Sequence, residues 1–148
     1  FRWLAKEELF KIPIFGYAMK RVGYISIDRS DFRSAVKSLK KAAQIIKNGT
    51  SVVIFPEGTR SDDGQISGFK KGGFNMALDA QVPIVPIVLH GTRAIMPKKQ
   101  LRIRSQNVFM EIKNPIETSS YTRKTKDMLM ARVRKSILES FESNAENV

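Results

Sequence analysis

The chain has 148 residues, of which 42% are apolar and 27% charged, and it contains no cysteine. This is the composition of an ordinary globular protein of about one domain, and it excludes a disulfide scaffold, a thiol nucleophile and a thiolate metal site. Lys and Arg number 26 against 14 acids, which gives a net charge of +12. Such an excess favours nucleic acid, an anionic membrane surface or an acidic small molecule or carrier as the partner. No apolar run approaches the about 18 residues that a membrane-spanning helix needs.

Taken in chain order, the sequence pattern predicts strands that alternate with helices. Strands are predicted over residues 1–5, 24–27, 51–55 and 82–89, helices over 13–22, 32–47, 70–80 and 122–141, and a hairpin of 101–103 with 108–112. The clearest helix is 32–47, because its apolar residues recur every three or four positions, Ser30 or Asp31 can cap its start, and Asn48 and Gly49 stop it. This order predicts a single α/β domain over residues 1–148, with a mostly parallel sheet flanked by helices.

The stretch 52–61 carries the strongest functional signal. An apolar run stops at Pro56 and opens into a turn of sequence Glu57-Gly58-Thr59-Arg60. In open α/β sheets, ligands bind at the edge formed by the carboxyl ends of the strands. A guanidinium at this edge offers a planar fork of donors that suits a phosphate or a carboxylate, and Gly58 lets the backbone approach the ligand closely.

A second arginine follows the neighbouring predicted strand, which ends at Asp28-Arg29. If the two strands are parallel neighbours, Arg29 and Arg60 lie at the same edge, where two guanidiniums and the free amides of a glycine turn would hold a phosphate dianion. Glu57 would then accept a hydrogen bond from a substrate hydroxyl or anchor an arginine. The alternative is that Arg60 only pairs with Glu57 or Asp62 as loop scaffolding.

Other chemistry-bearing residues give weaker signals. His90 ends the predicted strand 82–89, where it is either a general base or, more often for a lone histidine, a hydrogen-bonded structural residue. With one histidine and no cysteine in the chain, no metal site is expected. Lys6, Lys70 and Lys71 either widen the positive field or are solvated surface lysines, and the apolar face of residues 129–141 is core or, alternatively, a membrane contact.

Four motifs follow one another along the chain: a Lys-Leu-Pro-Gly pattern in 6–16, a strand in 23–29 that ends in Asp-Arg, the sequence Phe-Pro-Glu-Gly-Thr-Arg-Ser in 55–61, and a proline-containing strand in 82–87. Together they resemble the glycerolipid acyltransferase family of 1-acylglycerol-3-phosphate acyltransferases, and the resemblance covers residues 4 to about 97. It implies transfer of an acyl chain from acyl-coenzyme A or acyl carrier protein to the free hydroxyl of lysophosphatidic acid, giving phosphatidic acid, without a cofactor. The alternative acceptors are glycerol 3-phosphate and other lysophospholipids.

The resemblance also implies a set of binding residues. The acceptor phosphate is expected to contact Arg29, Glu57, Gly58, Thr59 and Arg60, with Lys6, Asp28 and Ser61 in support.

The catalytic pair of the family, a histidine and an aspartate separated by four residues, is not present in this chain. The residue five positions after His90 is Ile95, so His90 does not belong to that motif. We expect the pair upstream of Phe1, which makes the chain an N-terminally truncated acyltransferase domain that is inactive on its own.

The resemblance finally implies a location and partners. We expect the protein at the cytoplasmic face of a membrane, held peripherally or by segments outside this chain. The expected contact with the anionic lipid surface is made by the aromatic and apolar residues of 12–24, which are interleaved with Lys20 and Arg21. The alternative is that these residues only form a packed helix. The expected partners are a lysophospholipid, the acyl donor and the membrane. Nucleic acid is not expected, because no RNA-binding motif with stacking aromatics is present, although a basic nucleic-acid-binding domain is the distant alternative.

Overall fold

The computed structural model describes residues 1–28, 30–96 and 103–143. The chain forms two compact units: the first contains Phe1–Pro56 and Lys71–Val82, and the second contains Glu57–Lys70 and the residues from Pro83 onward. The expectation that residues 1–148 form one domain stays a prediction. No helix in the described ranges is long and apolar enough to cross a membrane.

A three-stranded parallel sheet forms the first unit. Strands β1 (Arg2–Lys6), β2 (Ile25–Ile27) and β3 (Val52–Val53) lie in the order β2-β1-β3. This sheet and its helices confirm the predicted fold class. One assumption of the sequence analysis is wrong, however: β2 and β3 are not neighbours, because the helix between them carries the chain past β1 to its far side.

The register of the sheet still places the ends of β2 and β3 at one edge. Lys6, the last residue of β1, lies opposite Ile27, so Asp28 follows directly at the carboxyl edge of the sheet. At the other side of β1, Trp3 lies opposite Val53. All three strands run in the same direction, and their carboxyl ends therefore meet at this edge.

The core of the first unit lies under α2 (Phe32–Lys47) and α3 (Lys71–Ala80). Asp31 caps α2, since its side chain accepts hydrogen bonds from the backbone N–H groups of Arg33 at 3.2 Å and Ser34 at 2.9 Å. Gly49, with a φ of 87°, ends the helix as predicted. The buried core residues shared by β2, α2 and α3 are Ile25, Ala42, Ala43, Met76 and Ala80.

Between β1 and β2, the chain forms a 3-10 helix (Glu7–Lys11) and then α1 (Phe15–Arg21). Gly16 is required at the start of α1, because a Cβ at this position would strike the backbone carbonyl of Phe10. The predicted strand-to-helix order is confirmed here, and Gly23, with a φ of 79°, leads the chain out of α1 toward β2.

The second unit contains an antiparallel strand pair, β4 (Ile87–His90) and β5 (Phe109–Ile112), with the short helix α4 (Thr92–Ile95) and the long helix α5 (Lys126–Ser143). Leu129 and Val133 on α5 are buried, and α5 packs against β4.

Two sequence expectations change in this unit. The partner of β5 is β4, so the predicted hairpin with residues 101–103 is wrong for Ile103, which lies in no strand, while Leu101 and Arg102 lie outside the described residues. The regular pairing of the predicted strand 82–89 begins only at Ile87, with an isolated bridge at Ile84. Pro83 and Pro86 lack the N–H that a continuous ladder needs.

Candidate anion-binding site

The residues of the predicted turn belong to a loop over 57–68, which we call the signature loop. Its two ends are joined by Glu57, whose Oε2 accepts a hydrogen bond from the backbone N–H of Ser67 at 2.8 Å. Inside it, the Oγ of Ser61 accepts from the N–H of Gly64 at 2.8 Å. Gly58 has a φ of 75°, a conformation that favours glycine. The Glu57 carboxylate therefore closes the loop.

Two arginines from elsewhere in the second unit hold the signature loop through its carbonyl groups. Arg93, on α4, donates from Nη1 to the carbonyl of Asp63 and from Nη2 to that of Asp62, both at 2.7 Å. Arg134, on α5, donates from Nη2 to the carbonyl of Ile66 at 3.1 Å. Sequence reasoning missed both residues. Nothing in the local pattern separates them from the other cations of a chain with 26 Lys and Arg residues.

Arg60 is exposed at the surface of the signature loop. Its Nη1 lies 3.5 Å from the carbonyl oxygen of Met96, at the outer limit of a hydrogen bond. Within the described ranges it forms no ion pair, and the carboxylate of Glu57 is bonded to Ser67 instead. The scaffolding alternative, in which Arg60 pairs with Glu57 or Asp62, is therefore not what the structure shows. A guanidinium with most of its donors uncommitted can bind an anion.

The remaining predicted site residues divide between the two units. In the second unit, Thr59 is exposed beside Arg60 and Ser61 is half-buried. In the first unit, Lys6 and Asp28 lie at the carboxyl edge of the parallel sheet. Arg29 lies outside the described residues, so its pairing with Arg60 around one phosphate stays a prediction.

The turn at Asp28 is held by local bonds. Its Oδ1 accepts hydrogen bonds from the Oγ of Ser30 at 2.6 Å and from the N–H of Ser30 at 2.8 Å. These bonds stabilise the carboxylate and hold the pKa of Asp28 below its ordinary value of 3.8. Asp28 is therefore a charged residue that local hydrogen bonds hold at the carboxyl edge of the sheet.

His90 has the surroundings of a packed structural residue. It is 4% exposed, and its ring stacks on that of Phe141 at 5.7 Å between centroids and lies 5.9 Å from that of Phe109. Its Nε2 is buried, with no hydrogen-bond partner among the described residues. This burial between aromatic rings argues against a role as general base, which needs access to the substrate hydroxyl.

The first unit also contains an open basic cavity of about 750 Å³ that sequence reasoning did not anticipate. Its lining includes Arg2, Lys11, Lys20 and Lys41. Among the described residues, Glu7 is the only acid in the lining, and its Oε1 lies 3.3 Å from Nζ of Lys11. An excess of cations around one concave surface favours anionic ligands.

Comparison with known proteins places this chain in a family. A family model described as Acyltransferase matches residues 1–90, more than half of the chain. The chain belongs to the acyltransferase family, as the four motifs indicated.

The relatives narrow the class further. The chain is 41% identical over 143 residues to the chloroplastic 1-acyl-sn-glycerol-3-phosphate acyltransferase LPAT1 of Arabidopsis thaliana, and 36% identical over 139 residues to the alpha enzyme of that name from Homo sapiens. Among solved structures, the 1-acyl-sn-glycerophosphate acyltransferase PlsC of Thermotoga maritima matches 96% of the chain with a TM-score of 0.82 at 30% identity.

The chain spans only about half or less of the length of the relatives that it matches. The matches take in 96% and 93% of this chain but 39% of the Arabidopsis protein and 49% of the human one. The chain likewise corresponds to 56% of the Thermotoga structure.

Proposed function

We propose that the protein containing this chain transfers an acyl group to the free hydroxyl of 1-acylglycerol 3-phosphate and so forms phosphatidic acid. Family membership and the names of the relatives support this reaction. The observation that carries it at the level of residues is Arg60, an exposed guanidinium without an ion pair in the described residues, on the loop that bears the family's motif. The acyl donor we propose is acyl-coenzyme A or acyl carrier protein, and no cofactor is needed.

In this proposal, Arg60 and Arg29 bind the acceptor phosphate together with the backbone of Gly58 and the hydroxyl of Thr59. A carboxylate beside a phosphate is repelled, so the contribution of Glu57 is to close the signature loop through Ser67. Ser61 supports the same loop from inside, and Lys6 and Asp28 support the site at the carboxyl edge of the sheet.

The chemical step needs a general base that these residues do not supply. We propose that the histidine and aspartate of the family's motif come from another part of the protein. The base removes the proton of the acceptor hydroxyl, the oxygen attacks the thioester carbonyl, and the thiol leaves with a proton. The part of this chain is to hold the acceptor so that its hydroxyl meets that base.

The test is Arg60→Ala in the full-length protein. We expect the KM for lysophosphatidic acid to rise about a hundredfold, since a bidentate, charge-assisted pair is lost, while the KM for the donor stays unchanged. Arg60→Lys keeps the charge but loses the fork, and it should give an intermediate KM. Arg132→Ala is the matched control, because Arg132 is exposed and makes no hydrogen bond or ion pair with the described part of the chain. An unchanged KM for lysophosphatidic acid in Arg60→Ala would refute the role of Arg60 in binding the phosphate. A wild-type protein that acylates only glycerol 3-phosphate would refute lysophosphatidic acid as the acceptor.

We propose that the protein acts at the cytoplasmic face of an anionic membrane. It is held there peripherally or through segments outside this chain. Exposed apolar side chains in the first unit support this: Ile14 is 87%, Tyr17 67% and Phe15 52% exposed. Lys20 and Arg21 lie on the same short helix as two of them, which is the combination that interfacial helices use.

Vesicle sedimentation tests this location. Wild-type protein should bind vesicles with anionic lipid better than neutral ones, and Phe15→Ser should weaken that binding severalfold. The control is Val85→Ser, a comparably exposed apolar residue in the second unit. Equal binding by both variants would contradict the proposed surface.

A further inference from the structure

The segment that follows β4 contacts the signature loop at two points. Arg93 donates to two successive carbonyls, those of Asp62 and Asp63, each at 2.7 Å. Three residues further on, the carbonyl of Met96 lies 3.5 Å from Nη1 of Arg60. One short segment therefore touches both the middle of the loop and the arginine that the loop presents.

The loop is shaped to receive the Arg93 side chain. Gly64 has a φ of 87°, and a Cβ at that position would lie 2.5 Å from Nη1 of Arg93. The guanidinium thus occupies the space that any side chain at position 64 would need. Since both Nη atoms of Arg93 already donate to carbonyls, this cation is committed to the protein backbone.

The segment that carries Arg93 is itself firmly anchored. It begins at Gly91, whose φ of 83° turns the chain directly after the end of β4. The last residue of β4, His90, is paired with Phe109 on β5, and its ring stacks on Phe141 of α5. The backbone that carries the Arg93 side chain is therefore anchored to the strand pair β4–β5 and to α5.

We propose that Arg93 is a positioning residue that fixes the curvature of the signature loop and thereby orients Arg60 toward the acceptor's phosphate. A loop that is held in its binding conformation before the ligand arrives loses less conformational entropy on binding. Arg93 acts through the loop and does not contact the phosphate. The proposal rests on the proposed function for the identity of the anion, but the contact between Arg93 and the loop stands independently of it.

The experiment compares Arg93→Ala, Arg93→Lys, Gly64→Ala and the double variant Arg93→Ala with Gly64→Ala, all in the full-length protein, with Arg132→Ala as control. Hydrogen exchange of the amides in 57–68 reports on the loop, and steady-state kinetics report on the acceptor. We expect Arg93→Ala to speed exchange in the loop and to raise the KM for lysophosphatidic acid about tenfold, with kcat nearly unchanged.

The other variants distinguish the hydrogen bonds that Arg93 makes with the loop from the effect of its positive charge. Arg93→Lys keeps the positive charge but loses the two separate nitrogens that reach Asp62 and Asp63, so it should behave more like Arg93→Ala than like wild type. Gly64→Ala displaces the guanidinium from the opposite side and also strains the backbone, because Gly64 has a φ of 87°, so it should speed exchange in the loop at least as much as Arg93→Ala. Because Gly64→Ala already breaks the Arg93 contact, the further change Arg93→Ala should add little in the double variant.

Three results would overturn the proposal: wild-type exchange in Arg93→Ala, a wild-type KM in Arg93→Lys, or fully additive effects in the double variant. If the wild-type protein does not acylate lysophosphatidic acid at all, the proposed function fails, while the exchange measurements still decide whether Arg93 fixes the loop. Thermal melting of each variant against Arg132→Ala identifies any general loss of fold.

Discussion

The two units of the molecule hold their charged turns by different means. In the first unit, the turn after β2 is held by neighbours in the sequence, since Asp28 accepts hydrogen bonds from the Oγ and the backbone N–H of Ser30. In the second unit, the loop over 57–68 depends on Arg93, which binds carbonyls 30 and 31 residues away along the chain, and on Arg134, which binds one 68 residues away. The difference shows that the first turn follows from local chemistry, whereas the signature loop takes its shape only when the second unit has folded.

The largest change in stability is expected at Leu129, a completely buried residue on α5. Leu129→Ala should lower the free energy of unfolding by about 2–5 kcal/mol and expose the amides of 57–68 to exchange, because α5 carries Arg134. Met76→Ala, in the core of the first unit, should cost a similar amount. Urea unfolding followed by fluorescence and hydrogen exchange makes the measurement.

The same two variants test the predicted single domain. In a chain that unfolds as one domain, each substitution moves one common transition. Two transitions, of which Leu129→Ala moves one and Met76→Ala the other, would show that the units unfold separately and would contradict that prediction.

The next effect lies in the first unit, at Gly16. Gly16→Ala places a methyl group against the backbone carbonyl of Phe10, which cannot move as a side-chain end can. We expect a loss of about 1–3 kcal/mol in the free energy of unfolding, measured by urea denaturation. The control is Gly68→Ala, where a Cβ would meet no atom within 4 Å. Equal stability of the two variants would contradict the close approach of α1 to the 3-10 helix.

Local patterns explain how much of the fold the sequence predicts. Residues 32–47 combine a helical apolar period, an Asp31 cap and a glycine stop, and all three act within a few residues of one another. The strands of the parallel sheet were predicted for the same reason, from short apolar runs beside turn residues. The strand order β2-β1-β3 does not follow from these apolar runs, because a run does not indicate which strand lies in the middle of the sheet.

The candidate site shows the same division. The motif identifies Gly58 and Arg60 as loop residues, since a turn glycine and a strand-end arginine are recognisable from their neighbours alone. The bond from Ser67 to Glu57 and the contacts of Arg93 join residues that only the folded unit brings together. The pairing of β5 with β4 is not predictable for the same physical reason, since residues 91–108 separate the two strands, whereas a short hairpin loop has about two to five residues.

A smaller effect is expected at the helix cap of the first unit. Asp31→Ala removes the acceptor for the N–H groups of Arg33 and Ser34, which should lower the free energy of unfolding by about 1 kcal/mol. Asp31→Asn keeps a side-chain acceptor and should retain most of the stability. The exchange rates in 57–68 should not change in either variant, because the hydrogen bonds from Ser67, Arg93 and Arg134 that hold that loop lie within the second unit. Faster exchange there would show that the two regions are less independent than their hydrogen bonds indicate.

The smallest expected effect concerns Glu111, on β5, whose contribution to stability should depend on pH. Its carboxylate accepts hydrogen bonds from Lys113 Nζ at 2.6 Å and from the hydroxyl of Ser140 on α5, and these partners hold its pKa below the ordinary value of 4.5. A carboxyl group whose pKa is lower in the folded than in the unfolded state contributes stability above its unfolded pKa and loses that contribution as the pH falls through the folded pKa. Glu111→Gln should therefore lower the Tm at neutral pH, and the difference from wild type should shrink below about pH 4.5.

The exposed Glu139 provides the control, because its Oε1 lies 3.7 Å from Nζ of Lys135 in a solvent-screened pair. Glu139→Gln removes only this pair and should change the Tm little. A Tm difference for Glu111→Gln that stays constant between pH 7 and pH 3 would show that the loss comes from packing alone.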